Sequence, residues 1–247
     1  MSLQLQMIGT GSAFAKKFYN NNALWTCNGF TLLVDAGNTA PRALHELNIQ
    51  VNELGGVLIT HLHSDHVGGL EELAFQMRYK HGRKLKLYLP AALEETIWEH
   101  TLKGGMENAG EELSGLTDYF EVELLHEGHP VSIHEGLQIE IMETPHITGK
   151  KSFSLFVNDQ IFYSADIRFC PELLIGEVIQ KRKCKRIFHD CQLESPGVVH
   201  ASLEELLTLP ESVQSRIYLM HYGDSMPLYS GKSGKMTFIK QHQIYTL

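Results

Sequence analysis

Cysteine is scarce in this chain: four in 247 residues, with no Cys-x-x-Cys pair among them. Cys27, Cys170, Cys184 and Cys191 show none of the spacing of a disulfide framework, so a reducing, cytoplasmic setting is expected. Positive charge is also in deficit. Against 29 acidic residues stand 21 Lys and Arg, a net charge of −8. Such a chain has no general attraction for phosphate backbones, which argues against a large nucleic-acid partner. No apolar run approaches the length of a membrane span, and the opening Met-Ser-Leu-Gln-Leu-Gln carries neither a basic nor an apolar leader segment. A membrane partner is not expected. Repeats, low-complexity tracts and linkers are absent as well, so residues 1–247 read as one domain.

What the chain does have is histidine, 14 in all, and the placement matters more than the number. Val57, Leu58 and Ile59 form a short apolar run, as expected of a buried strand ending near Thr60. His61, His63, Asp65 and His66 follow at once, ahead of Gly68 and Gly69. Side chains alternate along an extended chain, so His61 and His63 point the same way. Asp65 and His66 fall where the chain turns into the next helix and can face a neighbouring point. Four ligand-type side chains at one strand end can thus serve two metal ions. An H-x-H-x-D-H run directly after an apolar strand is too specific to be a chance gathering on a polar loop.

The remaining segments extend this pattern. Leu3 to Ile8 alternate as a first strand, and Gly9-Thr10-Gly11-Ser12 read as a tight turn because no helical period follows. Ala23 to Trp25 and Phe30 to Val34 read as strands, the second ending at Asp35. Leu70, Leu73, Ala74 and Met77 predict a core-facing helix over 70–81. Lys84 to Leu89 read as a half-exposed strand, and Glu94 to Leu102 as a helix closed by a loop at Gly104-Gly105. Strands over 122–125, 131–133 and 137–142 lead to His146, and a hairpin about Asn158-Asp159 leads to Asp166. A strand over 186–188 ends at His189-Asp190-Cys191, a helix covers 203–209, and a strand over 216–220 ends at His221. Two groups of strands with helices between them suggest two sheets with helices outside.

His61, His63, Asp65, His66, His146, Asp166 and His221 therefore each lie at or just after the C-terminal end of an expected strand. Sites on layered α/β folds gather at that edge. Taken singly, His146 or His221 is an ordinary polar histidine. Taken together, with Asp35 ahead of them, the nitrogen and oxygen donors suit a pair of borderline divalent ions such as zinc.

These residues resemble the metal-binding signature of the metallo-β-lactamase fold superfamily. The resemblance implies an α/β (α+β) fold, a four-layer αβ/βα sandwich. It places His61, His63 and His146 on one metal and Asp65, His66 and His221 on the other, with Asp166 bridging and Asp35 supporting the histidines from behind. It also implies two zinc ions per chain, manganese being the other ion such donors would take, and a hydroxide formed on them as the attacking group. Asp at the bridge sets the chain apart from β-lactamases, which have Cys there. His63 sets it apart from flavin-linked diiron relatives, which carry an acidic residue.

A finer likeness lies in the last third. His189-Asp190-Cys191, then His200-Ala201-Ser202 opening a helix, then His221, is similar to the transfer-RNA 3′-processing (tRNase Z-like) branch. There the first His of the matching His-Glu-Ala-Thr motif is thought to protonate the leaving oxygen. His189 is accordingly the expected general acid, and Asp65 the residue that orients or deprotonates water. Only half of that motif is present, and the arm that grips tRNA has no room between His146 and Asp166. The armless anti-Pycsar phosphodiesterases, which degrade cyclic CMP and cyclic UMP, are the nearer resemblance. It implies a homodimeric phosphodiesterase that opens small cyclic nucleotides and so counters cyclic-nucleotide antiphage signalling. A partner's loop, Asn20–Asn22 or the polar tail, would close the pocket. The alternatives are a tRNase Z-like endoribonuclease and a non-catalytic nucleotide-binding relative.

Overall fold

Residue alternation along single strands sorts the apolar side chains into two layers. In the strand Phe153–Val157, Leu155 and Val157 join a large core, while Phe156 joins a second cluster on the opposite face. Ile187 and Phe188 divide the same way in the strand Arg186–Asp190. A sheet apolar on both faces must be covered on both, and a second sheet and a layer of helices do so.

The computed structural model describes residues 2–247. Its first six strands are β1 (Gln4–Gly9), β2 (Asn22–Cys27), β3 (Phe30–Val34), β4 (Gly56–Leu58), β5 (Leu85–Pro90) and β6 (Phe120–Leu125). Then come β7 (Val131–His134), β8 (Leu137–Glu143), β9 (Phe153–Val157), β10 (Ile161–Tyr163), β11 (Arg186–Asp190), β12 (Ile217–Met220) and β13 (Thr237–Phe238). The last strand, β14 (Ile244–Thr246), returns to the first sheet. The sheets run β14-β1-β2-β3-β4-β5-β6 and β13-β12-β11-β10-β9-β8-β7. Trp25 of β2 packs edge-on to Tyr163 of β10 and Phe188 of β11, with ring centroids 6.1 and 6.0 Å apart, and so joins the sheets at their centre. Leu70, Leu73, Ile97 and Trp98 cover the outer face of the first sheet, and Leu174, Val178, Leu203 and Leu206 that of the second. The result is the four-layer αβ/βα sandwich.

Strand direction decides where the site forms. β3, β4, β5 and β6 are mutually parallel, as are β10, β11, β12 and β13. β8 is antiparallel to β9, and β9 to β10, so β8 also runs with β10. The segments after β3, β4, β8, β10, β11 and β12 therefore emerge at common edges.

Several expectations need correction. Lys84 to Leu89 was expected to be half exposed, yet β5 lies between β4 and β6 and is buried except at Lys86. Gly104 and Gly105 are not a loop but part of a helical turn, Lys103–Met106, where a Cβ on Gly105 would meet Glu71 Oε2 at 2.1 Å. The polar tail holds β14, only three residues long and exposed at Ile244 and Thr246, which pairs with β1 through the backbone while Tyr245 packs on the core. Asn20, Asn21 and Asn22 are buried, and Asn20 and Asn22 accept from the backbones of Thr39 and Gly37 at 3.1 and 3.0 Å. That stretch is committed within its own chain and is not a loop free to close a partner's pocket.

Candidate metal centre

β4 delivers Thr60, His61 and His63, and the short turn Ser64–Val67 then swings Asp65 and His66 inward. The turn is held down by close backbone contact: a Cβ on Gly37 would lie 1.8 Å from the Asp65 carbonyl oxygen. Asp35, just past β3, is fully buried in the left-handed region at φ 61°. Its carboxylate accepts the Thr60 N–H and hydroxyl at 2.8 Å and His66 Nδ1–H at 2.8 Å. That bond fixes the His66 tautomer and leaves Nε2 facing the cluster. Burial pushes the Asp35 carboxyl up, with His66 opposing it. His221 also sits at a left-handed residue, φ 59°, as does Ala165 just before Asp166, φ 48°. Left-handed backbone at three non-glycine strand ends is strain concentrated where side chains are re-aimed.

The seven donors expected from the sequence fall into two sets that share Asp166, and a third group joins Asp166 and His221 to Asp190 and His200. His61 Nε2 and His146 Nε2 lie 3.0 and 3.3 Å from His63 Nδ1, and Asp166 Oδ2 lies 3.6 and 3.8 Å from the first two. On the other side, His66 Nε2 and His221 Nε2 are each 3.2 Å from Asp65 Oδ2 and 3.2 and 3.5 Å from Asp166 Oδ1. One carboxylate thus offers an oxygen to each set. Within each set all ligand atoms lie within 4.8 Å of one another.

Three observations suit these sets to divalent cations. His61 Nε2 and His146 Nε2 both face His63 Nδ1 at 3.0 and 3.3 Å, and that nitrogen has at most one proton to share between them, so the three nitrogens are only partly satisfied by one another. His66 Nε2 and Asp166 Oδ1, though 3.2 Å apart, are buried without a hydrogen bond. Burial also lowers the pKa of His61, of His146 and of His63, the last to about 4, which keeps them in the neutral, ligating form. Burial works against charge on Asp166 too, yet His221 and His66 over-ride it and hold the carboxyl well below its usual range. His146 Nδ1 donates to the Val199 carbonyl at 2.7 Å, which turns its Nε2 to the centre.

His189 is not among the side chains gathered here. It shares a strand face with Ile187 and Cys191, lines neither cavity at the centre, and its Nδ1 bonds the Asp190 carbonyl at 2.7 Å. Burial lowers its pKa. The next residue faces the centre instead. Asp190 Oδ2 accepts His200 Nδ1–H at 2.7 Å, and Asp190 Oδ1 lies 3.2 Å from His221 Nδ1. The His200 ring stacks on His221 with centroids 4.8 Å apart and lies 5.0 Å from that of His146. Its side chain keeps 21% exposure, and Asp190 raises its pKa against the opposing pull of burial. Two sequence signals mark Asp190: its place in the His189-Asp190-Cys191 stretch and its even spacing from Phe188. His200 lies beyond a loop, marked by the His200-Ala201-Ser202 stretch of the tRNase Z-like resemblance and by the Ser202 cap of the following helix, whose hydroxyl accepts the Glu205 N–H.

Two cavities flank the donors. One of about 600 Å³ opens on His200 and His221, and one of about 330 Å³ on His61, His63 and His146. Among the described residues no helix is long and apolar enough to cross a membrane.

Comparison with known proteins places this geometry in a lineage. The pattern of the family described as "Anti-Pycsar protein Apyc1" matches residues 3–245. The chain belongs to that family. It is 57% identical over 246 residues to the Anti-Pycsar protein Apyc1 of Paenibacillus xerothermodurans, covering 100% of this chain and 98% of that one. It is 53% identical over 247 residues to the protein of the same name from Paenibacillus sp. (strain J14), covering 100% of both. Among solved structures, the metallo-beta-lactamase fold protein YhfI from Bacillus subtilis superposes with a TM-score of 0.76 over 100% of both chains. At 16% identity that likeness establishes the fold.

Proposed function

We propose that this member of the family is a dinuclear metal-dependent phosphodiesterase that hydrolyses 3′,5′-cyclic nucleotides such as cyclic CMP and cyclic UMP to nucleoside monophosphates. Acting so, it would remove the signal on which cyclic-nucleotide antiphage defence depends, as its relatives' name suggests. The observation that carries the reading is Asp166, whose two carboxylate oxygens each face a separate set of histidines. His61, His63 and His146 would hold one ion, Asp65, His66 and His221 the other, and zinc fits the donors best. Two such ions supply an activated water at neutral pH and neutralise charge on the phosphoryl oxygens.

The chain's own residues do the rest. Asp65, held below its usual carboxylate range by His66 and His221 despite burial, orients the water rather than storing a proton. The water oxygen bonds to phosphorus as the bond from phosphorus to the 3′-oxygen breaks. His200, not His189, gives that oxygen its proton, and Asp190 holds the imidazole in place for it. The size of the substrate follows from what is missing. From His146 to Asp166 the chain is taken up by the hairpin of β9 and β10, with no arm that could clasp an RNA. Purified protein should therefore turn over cyclic CMP and cyclic UMP and leave precursor tRNA intact. Cleavage of the tRNA without cyclic nucleotide turnover would overturn the proposal.

A further inference from the structure

Phe14 stands in solvent with 88% of its surface exposed, the most of any large apolar side chain among the described residues. The loop that carries it is not loose. Gly11 N–H donates to the Tyr19 carbonyl at 2.7 Å, Ser12 N–H to the Tyr222 carbonyl at 3.1 Å, and Ala15 N–H to the Ser12 carbonyl at 3.1 Å. Just beyond, the N–H groups of Lys16 and Lys17 both donate to the Asp224 carboxylate at 2.8–3.0 Å. The backbone is pinned on both sides of a phenyl ring that covers nothing in its own chain. An apolar side chain held out in water on fixed backbone gains nothing for the fold.

The ring borders the larger cavity, the one whose inner wall carries His200 and His221. Three of the polar side chains around that mouth are already engaged. Glu194 Oε1 accepts from the Ser225 hydroxyl at 2.8 Å, Asp224 takes the two backbone N–H groups, and Gln192 Nε2 donates to the carbonyls of Glu194 and Pro196 at 2.6 and 2.9 Å. Two carboxylates at the rim make it a poor seat for a further phosphate. What the mouth offers an incoming ligand is a flat, uncharged π face.

We propose that Phe14 is the platform on which the base of the cyclic nucleotide stacks while the phosphodiester lies at the His and Asp donors. This rests on the phosphodiesterase reading above. Stacking places the base at the mouth of the same cavity whose inner wall carries His200 and His221. The test compares wild type, Phe14→Ala and Phe14→Trp on cyclic CMP and on the base-less 1-O-methylribose 3′,5′-cyclic phosphate. Melting temperature and solution mass are followed in parallel. Phe14→Ala should raise KM for cyclic CMP about 5- to 100-fold with kcat nearly unchanged, and Phe14→Trp should restore it. KM for the base-less diester should not move. An unchanged KM for cyclic CMP in an active Phe14→Ala enzyme overturns the platform alone. So does an equal rise for both substrates with a fall in solution mass, which would mean that a second copy covers Phe14. If metal-loaded wild type hydrolyses neither diester, the phosphodiesterase reading falls and the platform with it; if it hydrolyses the base-less diester but no cyclic nucleotide, the cyclic-nucleotide substrate falls and the platform with it.

Discussion

Phe188 faces the core between the sheets, so Asp190, two residues on, faces the same side and His189 does not. That single count of two separates a histidine close in sequence to the centre from one close in space. The seven donors could be picked from the sequence because four follow strand ends within a few residues and the other three share the His-x-His-x-Asp-His run with one of them. His200 could not, since it reaches the centre from a loop whose path no local pattern sets. The roles divide accordingly. His200→Ala should lower kcat for cyclic CMP by about 10²–10⁴-fold and leave metal content intact. An aryl diester such as bis-p-nitrophenyl phosphate, whose leaving group needs no proton, should be affected far less. His189→Ala should change kcat little for either. Equal losses on both substrates for His200→Ala would assign that residue to orientation instead of proton transfer. Asp166→Ala should abolish turnover and remove much of the metal from both sets at once. Normal metal content in that variant, measured by elemental analysis, would mean that another residue bridges.

Elements of regular period were legible, and those set by contact were not. The strands of both sheets follow from β-branched and aromatic runs, and the helix beginning at Leu70 from its apolar spacing. Gly104 and Gly105 read locally as a break, but the turn they form closes against Glu71, which no local signal contains. β14 is invisible for a similar reason: three residues are too few to show an alternation, and its partner β1 lies at the other end of the chain. The short turn Ser64–Val67 is the element on which the centre depends. It is packed so closely on Gly37 that a methyl group cannot be added there without moving backbone. Gly37→Ala should cost about 1–3 kcal/mol of stability in a denaturant melt and loosen metal retention, because Asp65 and His66 ride on the displaced turn. If melt and metal content both match wild type, the contact does not set the turn's position.

At the scale of the whole molecule, the two sheets bring strand ends from both halves of the chain to one centre. His61, His63, Asp65 and His66 come from the first sheet, and His146, Asp166 and His221 from the second. The two sets that Asp166 links each draw donors from both sheets. A homodimer is also proposed, with the exposed apolar groups Val198 and Leu228, rather than Asn20–Asn22, as candidates for its contact. Light scattering at micromolar concentration should give twice the chain mass, and a fully active monomer would exclude it. The central claim is that two ions, shared through Asp166, open a cyclic phosphodiester. The most direct measurement is the rate of CMP release from cyclic CMP by metal-stripped protein as zinc is added back. No turnover is expected without metal, and the rate should climb until about two ions per chain are bound. Full turnover in excess chelator, or none at any zinc level from protein that has bound it, would contradict the account.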